Sequence, residues 1–539
     1  PETNVTRKYK FDVSYKTIAP DGVTKQGLVV NGGFPGPTIE ANWGDWIEVE
    51  VTNNLDGNLG NSEGTTIHWH GLLQKETPFM DGVPSVAQCP IIPGDSFTYL
   101  FRADQYGTSW WHSHYSAQYS GGVYGAIIIH GPNDTPQCSG YDEDIGPVMV
   151  GDWYHDPYYK LVADVMNSTT GLPDPSNNNL INGKANYPCA NTTAPCTPNA
   201  GLAKFAFESG KKFRMRLINP SSDAFQKISI DGHKFTVIAN DFVPIVPYET
   251  ELITLGIGQR TDVIVEATGD STGSYWFRSQ LGVGQASCSL PDGIAPNATA
   301  VIYYEDADPD AVPTTETDIT SDQIYTCSND PLTQTVPQFE ISSDPVGDLY
   351  TQVFNIDFTN NGTNYLWTVN NISARVDYDV SQLALAAQGQ LNPKPEWNVY
   401  TLPNSGTVRF VMYNSFPFTA HPMHMHGHNF QVLAEGFGTW DGSITNPSNP
   451  QRRDVQFLQK AQADGTRSYT VIQIELDNPS INILHCHLAW HVSAGLYVAL
   501  VERPDDIRNI TIPSAVTDTC TKWAGYVADN VPDQIDSGV

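Results

Sequence analysis

Histidine is concentrated in four short groups along this chain. On a β-strand, residues i and i+2 point to the same side, so each His-x-His pair presents two imidazoles in one direction. One isolated pair is ordinarily structural, but four pairs supply eight ligands, and imidazole-rich sites bind copper, zinc or iron. Ten of the fourteen histidines belong to these groups, namely His68 and His70; His112 and His114; His421, His424 and His426; and His485, His487 and His491.

A cysteine lies between the first two histidines of the last group. Because neighbouring residues of a strand alternate in direction, the sulfur of Cys486 points away from the rings of His485 and His487. With His421 and His491, this cysteine completes a two-histidine, one-cysteine set of the blue-copper type. A structural zinc site uses closed tetrahedral ligation and gives no reason for a cysteine between ligands of another metal. The pattern therefore favours copper, at two centres joined by one tripeptide.

An internal repeat indicates that one domain is duplicated. Gly122 and Gly495 each lie eight positions after the second histidine of a His-x-His pair, and each begins a Gly-aliphatic-Tyr-x-Ala pattern. Upstream, HWHG at 68–71 matches HMHG at 424–427. Such paired similarity is typical of a repeated sandwich domain at each end of the chain.

Short alternating apolar stretches between turn clusters dominate the sequence, and long helical periodicity is scarce. This pattern predicts an all-β chain of several Greek-key β-sandwiches. The segment from about residue 148 to 304 has strand patterns but no His-x-His pair, so we interpret it as a metal-free copy. We predict three domains, over residues 1–132, 148–305 and 341–539, joined by Pro-, Asp- and Thr-rich linkers.

The amino-acid composition limits the kinds of binding partner and the cellular compartment that we expect for this chain. The chain has 28 Lys and Arg against 59 Asp and Glu, and this charge of −31 disfavours nucleic acid and anionic membranes. No run of 18 apolar residues is present, so no membrane span is expected. Scattered cysteines and repeated Asn-x-Ser/Thr sequons favour an oxidising, glycosylating compartment. We interpret the start at Pro1 as that of a processed, secreted and extracellular protein.

The histidine motifs resemble the four copper signatures of the multicopper oxidases. They read HWHG at 68–71, WHSH at 111–114, HPMHMHGH at 421–428 and HCHLAWHVSAGL at 485–496. The whole chain looks like a laccase, most similar to those of ascomycete fungi. This resemblance implies three cupredoxin-like (plastocyanin-like) domains and four coppers per chain, one of type 1, one of type 2 and two of type 3.

The resemblance also divides the ligands among the coppers, whereas spacing alone gives only a pool of eight histidines for the three-copper cluster. The implied sets are His421, Cys486 and His491 for the type 1 copper; His68 and His424 for the type 2 copper; His70, His112 and His487 for one type 3 copper; and His114, His426 and His485 for the other.

Leu496 stands ten residues after Cys486, where many blue-copper proteins place an axial methionine. Leucine has no lone pair to donate, so we expect an effectively three-coordinate type 1 copper. Losing a soft axial donor destabilises Cu(II) relative to Cu(I) and raises the reduction potential. Leu496 is also expected to be an ordinary core strand residue.

Two aspartates are candidate proton carriers. Oxidation of a phenol releases a proton, and laccases place a carboxylate ten residues before the histidine of an S-I-D-G-H-like stretch, which here is Asp223 before His233. Asp81 corresponds to the acidic residue that laccases place beside the type 2 copper. The alternative for both is a turn-forming aspartate. The ending Asp536-Ser-Gly-Val539 resembles the laccase tail that enters the channel to the cluster, with disorder as the alternative.

Cys486 is assigned to copper, which leaves seven cysteines. The resemblance suggests the pairs Cys89–Cys520 and Cys288–Cys327. Cys189 and Cys196 are close enough in sequence to pair locally, which would leave Cys138 over. Connectivity is not deducible from sequence alone.

The function that these features imply is that of a laccase. Such an enzyme oxidises phenolic substrates one electron at a time and reduces dioxygen to water, and we expect a monomer. An ascorbate-oxidase-like enzyme would carry an axial methionine, and a ferroxidase would need acidic iron ligands near the type 1 histidine. A bilirubin-oxidase-like preference stays open. A non-catalytic electron carrier needs one copper site and leaves eight histidines without a role.

Overall fold

The computed structural model describes residues 1–55, 63–132, 140–167, 171, 175–282, 298–324, 328–532 and 534–539. Within these ranges the strands form six sheets, which occur as three successive pairs along the chain. The prediction of an all-β chain is therefore confirmed. Among the described residues, we find no helix with the length and apolar character needed to cross a membrane.

Domain 1 contains the first two sheets, ordered β2-β1-β4-β6 and β3-β8-β7-β5. The alternating stretch predicted at Trp46 forms β4, in which every second side chain is buried. The strands are β1 (Thr6–Ile18), β2 (Lys25–Val30), β3 (Ile39–Asn42), β4 (Trp46–Asn53), β5 (Ile67–Trp69), β6 (Ser96–Arg102), β7 (Gly107–Ser113) and β8 (Tyr124–His130).

Domain 2 contains the third and fourth sheets, ordered β10-β9-β12-β17-β14-β15 and β11-β19-β18-β13-β16. Its strands are β9 (Glu143–Trp153), β10 (Asn178–Ile181), β11 (Lys204–Phe207), β12 (Lys212–Ile218), β13 (Phe225–Ile230), β14 (Phe235–Asn240), β15 (Val243–Thr250), β16 (Ile253–Leu255), β17 (Arg260–Glu266), β18 (Ser274–Gly282) and β19 (Ala298–Tyr304).

Domain 3 contains the last two sheets, ordered β21-β20-β23-β28-β25-β26 and β22-β30-β29-β24-β27. Its strands are β20 (Leu349–Asn360), β21 (Tyr365–Val369), β22 (Val399–Thr401), β23 (Thr407–Asn414), β24 (His421–Met425), β25 (Phe430–Phe437), β26 (Gln451–Arg453), β27 (Val455–Leu458), β28 (Ser468–Glu475), β29 (Ser480–Cys486) and β30 (Tyr497–Glu502).

The helices are short, and one of them carries a predicted ligand. That helix, α4, follows β29 directly and contains His491. The α-helices are α1 (Tyr158–Asn167), α2 (Ser321–Ile324), α3 (Gln382–Ala387), α4 (Ala489–Ser493), α5 (Pro504–Ile507) and α6 (Ser514–Val527), and the 3₁₀ turns are Pro78–Met80, Gln118–Gly121, Cys189–Asn191 and Pro395–Trp397.

The three domains share the same parallel strand pairs, although the sheets of domains 2 and 3 contain more strands than those of domain 1. In each, the first sheet contains a parallel pair (β1 with β4, β9 with β12, β20 with β23). The second sheet of each begins with another parallel pair (β3 with β8, β11 with β19, β22 with β30) and continues through antiparallel strands. The middle domain is thus a copy of the outer two, as the sequence repeat suggested for the ends of the chain.

The buried apolar residues do not divide into one separate core for each domain. The apolar residues of domains 1 and 3 form one continuous buried cluster, whereas most of the core of domain 2 forms a separate cluster. Burial of apolar surface is the main favourable contribution to folding, so domains 1 and 3 stabilise each other. This shared core fixes the two histidine-bearing domains face to face.

Two disulfides are present among the described residues. Cys89 in domain 1 is bonded to Cys520 on α6, and Cys189 is bonded to Cys196. Both pairs were predicted, the second as a local possibility. Cys138, Cys288 and Cys327 lie outside the described residues, and Cys486 is a free, buried cysteine.

Candidate metal centres

Two antiparallel strand pairs carry the histidine motifs. In domain 1, β5 pairs with β7 so that His68 lies opposite His112. In domain 3, β24 pairs with β29 so that His424 lies opposite His485. Each pair therefore projects its imidazoles from one face of the sheet, as the i, i+2 spacing requires.

Eight imidazoles meet where these two faces approach each other. The ring centroids of His68 and His426 are 3.9 Å apart, as are those of His70 and His424, so rings from domain 1 stack on rings from domain 3. The remaining four rings complete the group, with centroids of His112 and His487 at 5.2 Å and of His114 and His485 at 5.3 Å. We call these eight residues the histidine octet.

Ligand atoms within the octet lie at metal-binding distances. The nitrogen atoms of His114, His426 and His485 lie within 4.8 Å of one another, and these three residues are one of the predicted ligand sets. The same limit holds for His68 with His424 and His426, and for His68 with His70 and His112. His68 belongs to two of these groups, so the distances alone do not assign each histidine to one copper ion. The predicted division of the ligands among the coppers therefore stays a prediction.

The hydrogen bonding of the octet leaves ring nitrogens for a metal. The Nδ1 atoms of His68, His112 and His424 are 2.8, 2.9 and 2.8 Å from backbone carbonyl oxygens. Their Nε2 atoms are buried without a hydrogen-bond partner. A buried polar atom without a partner is destabilising, whereas a bound metal ion would satisfy each of these lone pairs. The octet therefore fits a group of metal ions.

Burial keeps the imidazoles of His114, His424, His426 and His485 neutral, which is the form that binds metals. It lowers the pKa of His485 to about 4. Burial, reinforced by neighbouring imidazoles, also holds the pKa values of His114, His424 and His426 well below the usual value. A histidine must be deprotonated to ligate, so no proton competes at neutral pH.

Asp81 orients imidazoles from both domains. Its backbone carbonyl accepts a hydrogen bond from Nδ1 of His68, and its Oδ2 lies 2.8 Å from Nδ1 of His426. The adjacent Gly82 has φ of +81°, and a β-carbon there would lie 1.8 Å from the carbonyl oxygen of Ile67. Glycine at this position therefore allows the turn to press against β5 and brings Asp81 to the octet.

Asp454, which lies in domain 3, also orients imidazoles from both domains. Its Oδ1 lies 3.0 Å from Nε2 of His70, and its backbone carbonyl accepts a hydrogen bond from Nδ1 of His424. Arg260 of domain 2 binds both carboxylate oxygens of Asp454, at 2.6 and 2.7 Å, and is itself fully buried. Bidentate pairs of this kind are strong and fix geometry. All three domains therefore contribute to the support of the octet.

A second, smaller group lies wholly within domain 3, and we call it the type 1 trio. The Sγ of Cys486 is 3.6 Å from Nδ1 of His421 and 3.7 Å from Nδ1 of His491, and the two nitrogens are 3.1 Å apart. All three side chains are at most 4% exposed. Three soft or borderline donor atoms converging on one point are the donor set of a blue-copper site, so the trio fits copper.

Burial sets the protonation of the trio before any metal binds. It raises the pKa of the Cys486 thiol and lowers the pKa of His421 to about 3. Metal binding must therefore displace a proton from sulfur but none from this histidine. Leu496 is fully buried, and its backbone bonds to both Cys486 (3.1 Å) and His491 (3.0 Å), so this position is tied directly to the trio.

Aromatic side chains surround the exposed edge of the trio. The ring of Trp367 lies 4.6 Å from that of His421 and 4.5 Å from that of His491, measured between centroids. Phe416 packs on Trp367, and Phe418, which is 67% exposed, packs on Phe416. His421 is fully buried, whereas His491 retains 4% exposure, so His491 is the histidine of the trio nearest to solvent.

Asp223 lies on a loop that is fastened to α4. The carbonyl of Ser222 accepts a hydrogen bond from the backbone of Ala489, two residues before His491. The carboxylate of Asp152 accepts the backbone N–H groups of Ser222, Asp223 and Ala224 at 2.8 to 2.9 Å. Burial, with a contribution from Asp223, raises the pKa of Asp152 to about 7. Asp223 is thus held as a buried carboxylate beside the trio.

The segment Asp536–Val539 is packed between domains 1 and 3. Oδ2 of Asp536 accepts a hydrogen bond from Oγ of Ser116 at 2.6 Å, and the carbonyl of Gly538 accepts one from Tyr378 at 2.8 Å. Ser116 lies two residues after His114. Asp536, Ser537 and Val539 are at most 3% exposed, so the tail is ordered and buried near the octet rather than disordered.

Family models agree with this architecture. Three models described as multicopper oxidase match residues 12–134, 144–307 and 355–506. Together they cover most of the chain, with one model on each of the three domains. The chain therefore belongs to the multicopper oxidases.

Within that family the chain is most similar to fungal laccases. It is 38% identical to "Laccase-2" of Botryotinia fuckeliana, over 100% of this chain and 89% of the relative. It is 35% identical to "Dihydrogeodin oxidase" of Aspergillus terreus, over 99% and 90%. The crystal structure of laccase from Botrytis aclada superposes with a TM-score of 0.89 at 35% identity, covering 100% and 95%. The predicted three cupredoxin-like domains are confirmed.

Three residues that support the sites were missed by sequence reasoning. Asp454, Asp152 and Trp367 lie outside every histidine motif, and only the fold brings them to the ligands. Asp454 joins two short strands, β26 and β27, the second of which pairs with His421–Met425, but this pairing is visible only in the structure. Trp367 and Asp152 carried no signal that distinguishes them from core residues.

Proposed function

We propose that this protein is a laccase that oxidises phenolic substrates at the type 1 trio and reduces dioxygen to water at the histidine octet. The observation that carries this proposal is the segment His485-Cys486-His487. Its cysteine belongs to the trio, and its two histidines belong to the octet. One covalent segment thus connects the type 1 trio with a buried group of eight ligands.

Eleven side chains can hold four copper ions in this scheme. His421, Cys486 and His491 would hold the type 1 ion, and the octet would hold one type 2 and two type 3 ions. When bound, copper supplies one-electron acceptance at the trio and the four-electron reduction of dioxygen at the octet. Support comes from the ring nitrogens without partners and from the two carboxylates that orient them.

The chain itself supplies binding and proton transfer for the substrate. A phenol that reaches the edge of His491 lies beside the loop of Asp223, whose carboxylate accepts the phenolic proton. Asp152 holds that loop through three backbone hydrogen bonds. The aromatic rings of Phe416 and Phe418 offer a flat apolar contact for the substrate ring.

Asp81 and the buried tail serve the octet in this proposal. Asp81 touches two imidazoles and would deliver protons that water formation consumes. Residues 536–539 fill the space beside His114 and would limit access to the octet. We further propose a secreted, monomeric enzyme, and its disulfides and sequons support secretion.

The proposal is tested by metal content and substrate range together. Copper-loaded protein should contain four copper ions per chain and show both a blue band and a near-ultraviolet shoulder. In an oxygen electrode it should consume dioxygen with a phenol and a non-phenolic amine, and much more slowly with ascorbate, ferrous iron or bilirubin. Fewer than four coppers, or preference for one of the last three substrates, would contradict it.

A further inference from the structure

A cavity of about 370 Å³ lies at a junction between domain 1, domain 2 and the segment that leads into domain 3, away from the type 1 trio. Domain 1 contributes Tyr106 and Gly107, and domain 2 contributes residues of β14 and β15. The segment that leads into domain 3 closes one side. It is fastened there by Gln338, whose backbone N–H donates to Pro244 at 2.9 Å and whose side chain donates to Ile245 at 3.0 Å.

The walls of this junction cavity are mostly apolar, although Arg214, Asp241, Asp262 and Gln338 also line it. Tyr106, Phe242, Pro244, Pro247 and Phe339 line it. Phe242 is 5% exposed and forms part of the inner wall, whereas Phe339 is 60% exposed and stands at the mouth. Aromatic and proline faces at these positions offer stacking surfaces for a planar ring. The volume lies within the range of sites for small organic ligands.

One carboxylate oxygen at the base of the cavity has no hydrogen-bond partner. Asp262 lines the cavity and is 1% exposed. Its Oδ2 accepts a hydrogen bond from Nη2 of Arg214 at 2.6 Å, whereas its Oδ1 is buried without a partner. Buried acceptors are almost always satisfied, and an unsatisfied one is costly. A ligand that donates one hydrogen bond would satisfy it.

The strand beside this carboxylate is distorted in a way that opens the cavity. The register of β14 shifts between Val237 and Ala239 against both neighbouring strands, which places a bulge at Ile238. Bulges re-aim side chains and are frequent next to functional sites. Ile238 and Ala239 both line the cavity, and the small side chain of Ala239 leaves its centre open.

We propose that the junction cavity binds one small, neutral aromatic molecule that donates a hydrogen bond to Oδ1 of Asp262. Phenols and aromatic amides belong to this class. The site is separate from the place where electrons enter at His491. Its inner wall adjoins the octet support, since Phe242 packs under Arg260 at 5.4 Å and Arg260 binds Asp454. An occupant therefore stabilises the junction of the three domains.

Benzamide is a suitable probe because it has a flat ring and an N–H donor and is not a phenol. Calorimetry on the copper-loaded protein should give one site per chain, and the melting temperature should rise with benzamide concentration. Ala239→Leu should abolish binding by filling the cavity. Phe339→Ala, a change at an exposed residue, should weaken it about three- to tenfold through loss of a stacking partner.

Phe437→Ala is the matched control, because Phe437 is also exposed, at 42%, and does not line the cavity. This variant should bind benzamide like the wild type. Absence of binding to the wild type, or equal binding by the folded Ala239→Leu and Phe339→Ala variants, would each overturn the proposal. None of these results bears on whether the protein oxidises phenols.

Discussion

The type 1 trio and the histidine octet differ in how many domains build them. The trio comes from β24, β29 and α4, all within domain 3. The octet takes four imidazoles from domain 1 and four from domain 3, and rings from the two domains stack at 3.9 Å. The trio thus depends on local packing, whereas the octet exists only while two domains are docked.

The carboxylates that support the octet cross the interface in both directions. Asp81 of domain 1 holds His426 of domain 3, and Asp454 of domain 3 holds His70 of domain 1. Each domain therefore orients a ligand of the other, in addition to sharing one core with it. We therefore expect that some substitutions affect the trio alone and that others affect the octet alone.

The largest effect is expected from Cys486→Ser, which breaks the connection between the two groups. It removes the soft donor of the trio but leaves His485 and His487 in place. Turnover of any reducing substrate should fall by more than ~100-fold, beyond the ~10- to 100-fold range for residues that only orient a ligand. The measurement is dioxygen uptake together with the blue band, which should disappear.

The control for this variant is copper content. Three coppers per chain should remain with Cys486→Ser, because the octet keeps all its ligands. Retention of dioxygen uptake driven by phenol would show that electrons do not pass through this tripeptide.

A smaller effect is expected from Asp454→Asn, which should damage the octet and spare the trio. The change weakens the orientation of His70 and leaves the buried Arg260 without its bidentate carboxylate partner. Activity or copper affinity of the octet should drop ~10- to 100-fold. Breaking a buried ion pair also costs about 3–5 kcal/mol of unfolding free energy.

The blue band shows whether Asp454→Asn damages the octet without damaging the trio. It should keep its intensity per folded chain, because no trio ligand is touched. Asp270→Asn, a change at an aspartate whose hydrogen bonds are exposed, is the matched control and should leave both copper content and activity unchanged. Equal loss at both groups would contradict the separation.

Asp223→Asn should have a more selective effect at the substrate side of the trio. Without a carboxylate to accept the proton, KM for phenols should rise about tenfold, at the low end for losing a hydrogen bond to a charged group. The acid side of the pH–rate profile for phenols should also change, since a titrating group has been removed. Substrates with no proton to lose should be oxidised as before.

Asp152→Asn provides the contrast for that variant. An amide cannot accept all three backbone N–H groups that Asp152 now holds, so the whole loop should shift. KM should then rise for phenolic and non-phenolic substrates alike. If Asp223→Asn also impairs both substrate types equally, Asp223 is a structural residue and not a proton acceptor.

The smallest change is expected from Leu496→Met. A thioether near the trio would stabilise Cu(II) and lower the type 1 potential, by roughly 59 mV for each tenfold change in the one-electron equilibrium. Redox titration of the blue band measures this shift. Leu496→Ile is the control and should leave the potential near its original value. An unchanged or raised midpoint in Leu496→Met would contradict the prediction.

The set of candidate metal ligands and the fold class could both be predicted from the sequence. Strand periodicity fixes which way the imidazoles point, and the placement of Cys486 between two histidines fixes two centres on one strand, because alternation is a local property of the chain. The repeated motifs likewise identified the outer domains as copies. Asp223 and Asp81 were found only through resemblance, since an aspartate in a turn has no pattern of its own.

Only the tertiary structure decided which distant residues support these ligands. Asp454, Arg260, Asp152 and Trp367 reach the sites from 30 or more residues away in sequence, and their contacts depend on how the chain folds. The junction cavity likewise needs residues of domain 1, domain 2 and the segment that leads into domain 3 to come together. A short stretch of sequence determines the direction in which its own side chains point. The docking of two domains depends instead on the burial of apolar residues from many segments of the chain, so no single segment determines it.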